Sequence, residues 1–235
     1  MRLLAFDTST DQMFIAVQHD AALWQWQGAG GPQSSTLLIP KIQEGLAAVG
    51  LAMSALDAIV FGQGPGSFTG LRTAGSGAQG LARGADVPVL PVDSLLAVAH
   101  SAHQAHGCTQ VLAVLDARMG EVYHAPYHWD GVHWQRTAAL GLSAPAAVQL
   151  PPGYTLAGNA QAVYADLLPQ AAQVAALPTA LALLQLAPAL LVAGQAVAPE
   201  EAMPTYIRDK VAQTTAERAA LAAARSAAAA AAPQP

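Results

Sequence analysis

Between Leu3 and His106 the sequence alternates short apolar runs and turn signals in an order that few folds accept. Leu3 to Phe6 is an apolar run that ends in the polar turn Asp7-Thr8-Ser9-Thr10-Asp11, a strand and its exit. Met13 to Val17 and Ala22 to Trp26 read as the next two strands, with His19-Asp20 at the turn between them. A helix is predicted over Thr36 to Val49, capped by Ser34-Ser35 and stopped by Gly50. Its apolar positions Leu37, Leu38, Ile42 and Leu46 fall near helical spacing. Pro40 is placed in the first turn, where its missing N–H costs little. Ala58 to Phe61 then reads as a buried strand, and Gly62-Gln63-Gly64-Pro65-Gly66 as a sharp loop. A Gly-rich helix follows from Ser67 to Gly84, then a strand over Val87 to Val92. Asp93 or Ser94 caps a further helix to His106.

Strands joined by two-residue turns must run antiparallel, whereas strand-helix-strand units run parallel. The order therefore predicts a mixed five-stranded α/β sheet of the ribonuclease-H-like kind. Beyond it the pattern restarts less regularly. Gln110 to Leu115, Glu121 to Tyr127 and Val132 to Ala138 read as strands, with Asp130-Gly131 at a turn. A short strand is expected near Thr155 to Ala157, after Pro151-Pro152-Gly153, with helices over Ala160 to Leu167 and Ala180 to Val192. The expected organisation is a first lobe over 1–100 completed by 196–215, and a smaller second lobe over 101–195. An Ala-rich tail over 216–235 has helix propensity but little to bury, and is expected to be frayed or disordered.

Apolar residues make up 53% of the 235 and charged ones 11%, which excludes disorder for the bulk of the chain. No uninterrupted apolar run of about 18 residues suggests a spanning helix. Asp7 breaks any early apolar core, so a cytoplasmic location is expected. The single Cys108 leaves no intrachain disulfide and no multi-thiolate zinc site. Fifteen acids outnumber ten scattered basic residues, for a net charge of −5. Gripping RNA calls for clustered Lys and Arg, so RNA is expected to be met mainly through a partner.

Four stretches together carry a family signal: Leu3-Leu4-Ala5-Phe6-Asp7-Thr8-Ser9-Thr10; Gly62 to Arg72; Asp116-Ala117-Arg118-Met119-Gly120-Glu121-Val122-Tyr123; and Pro204-Thr205-Tyr206-Ile207-Arg208. In order and spacing they resemble the TsaB (YeaZ) family of tRNA threonylcarbamoyladenosine biosynthesis proteins, over about 1–210. The resemblance implies a two-lobed actin-like ATPase (ASKHA) fold with mixed sheets. It also implies a non-catalytic scaffold that pairs with the catalytic paralogue TsaD and joins a larger complex with the ATPase TsaE. A homodimer is expected where TsaD is absent. Many relatives carry a His before the first long helix, where this chain has Ser34-Ser35.

The residues themselves offer weaker chemical alternatives. The loop Gly62 to Gly70 could cradle phosphate at a helix N-terminus, but no Lys-Ser or Lys-Thr follows it. The bland alternative is a tight turn that needs positive φ. Asp7 is a candidate for a polar role or simply a turn cap. Active sugar-kinase-like ATPases that resemble this fold place Gly in the first turn, and Asp7-Thr8-Ser9-Thr10 has none. His100, His103 and His106 step by three near Cys108, spreading over about 120° of helix surface. A solvated face is expected there rather than a metal site, and His124 and His128 are expected on an exposed rim beside Trp129. Ser9 and Ser67 lack a visible His-Asp relay, and Arg118 and Glu121 could pair across a turn. No catalytic, cofactor or metal residue is assigned. A glycoprotease-like metallopeptidase would need a paired-His helix that Ser34 to Glu44 lacks. A stand-alone nucleotide-binding actin-like protein is the other alternative.

Gly70, Gly77 and Gly84 recur at seven along the Gly-rich helix. Each lowers helix propensity by about 1 kcal/mol against Ala, so the helix must gain from packing. Leu71, Ala78 and Ala82 are expected inward, on the lobe's own sheet. A partner surface is expected at Gly70, Thr73, Gly77 and Gly84, with Leu38, Lys41, Ile42 and Gly45 of the preceding helix.

Overall fold

The computed structural model describes residues 1–208, so the Ala-rich tail and the end of the returning segment lie outside the described residues. Strands β1 (Arg2–Asp7), β2 (Gln12–His19) and β3 (Ala22–Ala29) form an antiparallel meander. At the β2–β3 turn Asp20 takes a φ of 53°, a left-handed value that Asp tolerates. β4 (Ala58–Gly64) runs parallel to β1, and β5 (Val89–Asp93) parallel to β4. The sheet order is β3-β2-β1-β4-β5, the mixed five-stranded arrangement read from the sequence.

Alternation along β1 decides what covers each face. Leu4 and Phe6 point to one side, where helices α1 (Ser34–Ala48) and α2 (Phe68–Ala85) bring Leu38, Ile42, Ala74, Ala78 and Ala82. Leu3 and Ala5 point to the other side, against Leu183, Leu184 and Ala187 of α5 (Ala180–Val192). So α5 belongs with the first sheet, and the chain returns there from Ala180 rather than from 196. The apolarity of α5 fits this place, between the first sheet and α3. The return continues as Val197 pairs with Val89 through reciprocal backbone bonds of 2.8 and 3.0 Å, and the Thr205 amide donates to the Gln63 carbonyl at 2.7 Å.

The second sheet has six strands: β6 (Gln110–Arg118), β7 (Glu121–Trp129), β8 (Trp134–Arg136), β9 (Gly141–Ser143), β10 (Thr155–Gly158) and β11 (Gln173–Ala175). Its path is β11-β10-β6-β7-β8, with β9 paired to β7. Helix α3 (Ser94–His106) presses Leu95, Val98, Ala99 and Ala102 onto Val111, Ala113, Leu115 and Tyr127 of this sheet. A one-turn helix, α4 (Gln161–Tyr164), replaces the longer helix expected to Leu167.

Three local expectations are corrected. The strand expected over Val132 to Ala138 shrinks to β8, because Asp130 Oδ1 accepts from the backbone amides of Val132 and His133 and holds them in a turn. Ser34-Ser35 do not cap α1. A 3-10 turn at Gly31–Gln33 runs straight into the helix, Gln33 is its helical N-cap residue, and no side-chain cap bond forms. Because α1 starts at Ser34, Pro40 sits in its interior rather than its first turn. Ser34 is instead fully buried, and its Oγ has no hydrogen-bond partner among the described residues.

A buried, unpaired hydroxyl is a net cost to folding. Ser34→Ala is therefore expected to raise unfolding free energy by about 1 kcal/mol, read from the denaturant midpoint at unchanged slope. A drop of that size would show that Ser34 Oγ has a partner in solution.

Candidate functional site

The exit of β1 and the loop before α2 are pressed together. A Cβ on Gly62 would fall 1.7 Å from Asp7 Oδ2, one on Gly66 2.5 Å from Ser9 Cβ, and one on Gly70 1.8 Å from the Thr8 carbonyl oxygen. Two bonds tie the elements: the Ser67 amide donates to the Ser9 carbonyl at 2.8 Å, and Thr8 Oγ1 donates to the Gly70 carbonyl at 2.7 Å. Within Gly62 to Gly70 only Gly64 has a left-handed φ, 104°. Close approach, not positive φ, is thus the main reason for glycine in this loop.

Asp7 is wholly buried. Its Oδ1 accepts from the Ser9 amide at 2.7 Å and Ser9 Oγ at 2.6 Å, and its Oδ2 accepts from Ser94 Oγ at 2.8 Å. Burial pushes its pKa up, while the bonds from Ser9 and Ser94 oppose that rise. This is the geometry of a turn cap that also ties β1 to the start of α3.

Across the cleft, the β6–β7 hairpin turns at Met119-Gly120, with Arg118, Met119 and Gly120 at φ of 62°, 57° and 77°. The twist sends Arg118 to the Asp11 carboxylate of the first lobe, and its Nη1 lies 3.1 Å from Asp116 Oδ2. Glu121 turns away to Arg208, at 2.6 Å. The Arg118–Glu121 pair envisaged from sequence does not form, since each has a better-placed partner from another segment. The space left between the hairpins is about 30 Å³, lined by Ser9, Asp11, Ser67, Asp116 and Arg118 among others. That is the liquid share of one water molecule.

The histidines are engaged separately. His100 Nδ1 accepts from Trp134 Nε1 at 3.1 Å, so its Nε2–H faces Gln185 Oε1, also at 3.1 Å. Burial lowers its pKa. His103 Nδ1 donates to the Cys108 carbonyl at 3.0 Å, and its ring packs between Trp129 and Trp134 at 5.3 and 5.8 Å. Among the described residues no three His, Cys, Asp or Glu are grouped to hold a metal ion. His124 is not a rim residue. β9 covers it, its Nε2 lies 3.1 Å from Ser143 Oγ, and burial lowers its pKa.

The residues expected at a partner surface divide into two sets. Leu38 and Ile42 are buried in the core beneath α1, and Gly45 faces Trp24, whose Cε3 would lie 2.5 Å from an added Cβ. Gly70 is buried under the first turn, and Gly77 lies against Leu38 Cδ2, at 3.0 Å from an added Cβ. Leu71, Ala78 and Ala82 point inward as expected. Lys41 is half-buried, 2.7 Å from Glu44 and over the Trp26 ring, and Thr73 is half-buried with its Oγ1 bonded to the Thr69 carbonyl at 3.0 Å. Gly84 is exposed with nothing near it, and so is Gly80. Two exposed apolar side chains on these helices, Ile39 and Phe68, were not singled out from sequence. Phe68 stacks on Tyr206 at 5.7 Å under Arg72. Its position one residue after the N-cap was the available signal.

Two mixed α/β lobes, with hairpins meeting at a narrow cleft, define the chain as an actin-like, ribonuclease-H-like protein. Residues 31–222 match the family model described as TsaD, tRNA N6-adenosine threonylcarbamoyltransferase. The tRNA threonylcarbamoyladenosine biosynthesis protein TsaB of Escherichia coli is 34% identical over 90% of this chain and 96% of its own length. Its Haemophilus influenzae counterpart is 33% identical over 90% and 95%. YeaZ from Pseudomonas aeruginosa superposes with a TM-score of 0.82 at 35% identity, covering 88% of this chain and 99% of that one. The chain thus belongs to the family of the TsaD model and, within it, to the TsaB (YeaZ) branch.

The glycines supply a paired test. Gly70→Ala drives a methyl into the Thr8 carbonyl and is expected to lower stability by about 1–3 kcal/mol. Gly80→Ala adds the same methyl in open space, and is expected to raise stability by about 0.5–1 kcal/mol through helix propensity. Thermal or denaturant unfolding of the two variants checks the opposite signs.

His100 supplies a pH test. Its folded pKa lies below the unfolded value of about 6.5, so the unfolded chain takes the proton first as pH falls. The stability owed to the neutral ring is complete above that value and is lost as pH falls below it towards the folded pKa. His100→Gln keeps an uncharged hydrogen-bonding side chain, and its stability is expected to decline less than the native chain's between about pH 7 and about pH 5. Parallel profiles would show that His100 titrates alike in both states.

Proposed function

We propose that this chain is a non-catalytic scaffold subunit of the machinery that places threonylcarbamoyl on tRNA adenosine, docking on a TsaD-type catalytic partner through the outer surface of α1 and α2. TsaE joins the larger complex in this reading, the same surface serves a homodimer when the partner is absent, and tRNA is met mainly through the partner. The site of action is the cytoplasm; among the described residues no helix is long and apolar enough to cross a membrane.

One observation carries the docking surface. Gly80 and Gly84 sit in a helix, where glycine is unfavourable, and apart from the adjoining backbone of that helix no described atom lies within 4 Å of a Cβ built on either. Among the described residues nothing is gained by leaving those positions bare. A partner helix whose backbone comes close would gain. Ile39 at 36% exposure and Phe68 at 41% add apolar area to the same two helices. Leu38, Ile42, Gly45, Gly70 and Gly77 act in this reading from beneath, by setting how closely α1 and α2 pack, while Lys41, Thr73 and Gly84 reach the surface.

The non-catalytic part rests on how the polar groups are used. Ser9 and Ser94 spend their hydroxyls on Asp7, Arg118 is held by Asp11 and Asp116, and His100 and His103 are bonded within the fold. The metallopeptidase alternative would require converging imidazoles, and a nucleotide requires a wider cleft than about 30 Å³ between the hairpins.

Gly84→Leu is expected to leave the melting temperature unchanged or slightly raised, and to weaken TsaD binding about tenfold or more, near 1.4 kcal/mol. Calorimetric titration of TsaD into the native chain and the variant reads both. Undiminished affinity in a folded variant would move the interface off this face.

A further inference from the structure

A cavity of about 610 Å³ opens between the lobes, beside the small cleft at Arg118. Strands β2 and β3 form one wall, the last turns of α3 another, and the β10–α4 and β11–α5 connections close it. Its size lies within the range of small-molecule sites, roughly 300–1,000 Å³. Its chemistry is unusual in one respect: none of its described lining residues is ionisable. Phe14, Leu177 and Leu181 with several alanines supply an apolar floor. The polar groups are almost all carboxamides, from Gln12, Gln27, Gln104, Asn159, Gln161 and Gln185.

Three of those carboxamides are held in one orientation by the protein. Asn159 Oδ1 accepts from the Asp116 amide at 2.9 Å, which leaves its two N–H groups to donate. Gln185 Oε1 faces the His100 Nε2–H, which leaves its N–H groups likewise. Gln161 is fixed the other way. Its Nε2 donates to the carbonyls of Gly158 at 2.8 Å and Val174 at 2.7 Å, and its Oε1 is buried with no partner among the described residues. Fixed donors from Asn159 and Gln185 therefore stand beside an apolar floor before any ligand arrives.

We propose that this cavity binds an uncharged heterocycle of nucleoside size, through its ring face and an edge that carries both donors and acceptors. Carboxamides pair with heterocycle edges of this kind in both senses at once, as Asn and Gln do with adenine. A wholly apolar ligand would leave the N–H groups of Asn159 and Gln185 without partners. A phosphate or carboxylate would find no counter-charge in the wall, and in the adjoining small cleft, which shares Asn159, Arg118 is already paired with Asp11 and Asp116. This site is separate from the outer surface of α1 and α2 and stands apart from the scaffold reading.

The test is calorimetric titration of the full chain with adenosine and uridine, and with ATP as the charged comparison. Ala105→Trp, at an exposed position on α3 that lines the cavity, fills the space without touching the core. Gln185→Glu removes a pair of fixed donors and keeps an oxygen to accept from His100. Binding of at least one nucleoside that disappears in Ala105→Trp and weakens about tenfold in Gln185→Glu, with both variants melting as the native chain does, supports the site. No binding of either nucleoside overturns it. So does binding that a folded Ala105→Trp leaves intact, or ATP binding more than about tenfold tighter than adenosine, which would mean that phosphate contacts dominate.

Discussion

The arrangement of the first lobe depends on a single buried carboxylate and the glycines that let it be approached. Asp7 ends the central strand, β1, and is reached by Ser9 from its own turn and by Ser94 from the start of α3. Ser94 Oγ also accepts from the Gly64 amide at 3.3 Å, so the same cluster holds the end of β4. Gly62 must be glycine because any Cβ would occupy the position of the Asp7 carboxylate. Burial raises the Asp7 pKa, and three short bonds offset the cost of ionisation. In return one side chain sets the relation of β1, β4 and α3, from which the placement of α2 on one face and α5 on the other follows.

That use of Asp7 has a chemical consequence. A carboxylate that already accepts three bonds, from two hydroxyls and an amide, has little left to offer a metal ion or a nucleophile. The opposing hairpin completes the closure, but not through its ion pair alone. Arg118 and Asp11 are 60% and 74% exposed, a setting in which an ion pair contributes less than about 1 kcal/mol and is screened by salt. The lobes are held instead by α3, packed on the second sheet, and α5, packed on the first and against α3, and by partly buried links such as Trp134 to His100 and His100 to Gln185. Narrowness of the cleft is thus a property of the core.

Legibility in the sequence followed the length of the signal. The five strands of the first sheet and the helices α2, α3 and α5 were readable because period and turn chemistry agreed over many residues. β9 and β11 have three residues each, too few for any period, and with β9 unseen His124 looked like a surface residue. The nearly unbroken apolarity of α5 says that it is buried and not against what, and only the structure shows it packed on the first sheet. At the site, the Gly loop was legible as a tight element, while the reason for it, contact with Thr8 and Ser9, joins segments about 60 positions apart and no local pattern encodes that. Helical spacing placed Leu38 and Ile42 on one face correctly. Spacing cannot say whether that face looks inward, and here it meets the sheet.

The Gly-rich helix then separates into two explanations. Gly70 is required by the Thr8 carbonyl, while Gly75 lies close against Pro204 and Gly77 against Leu38, each at 3.0 Å from an added Cβ, so all three serve the chain's own packing. Gly80 and Gly84 do not, because a Cβ at either would meet nothing. Two such positions forgo about 1–2 kcal/mol of helix stability relative to alanine, a noticeable fraction of a folding free energy of about 5–15 kcal/mol. Selection for the isolated fold would favour alanine at both. Among the described residues, the bare backbone of the second half of α2 is thus the part of the molecule that monomer stability explains least.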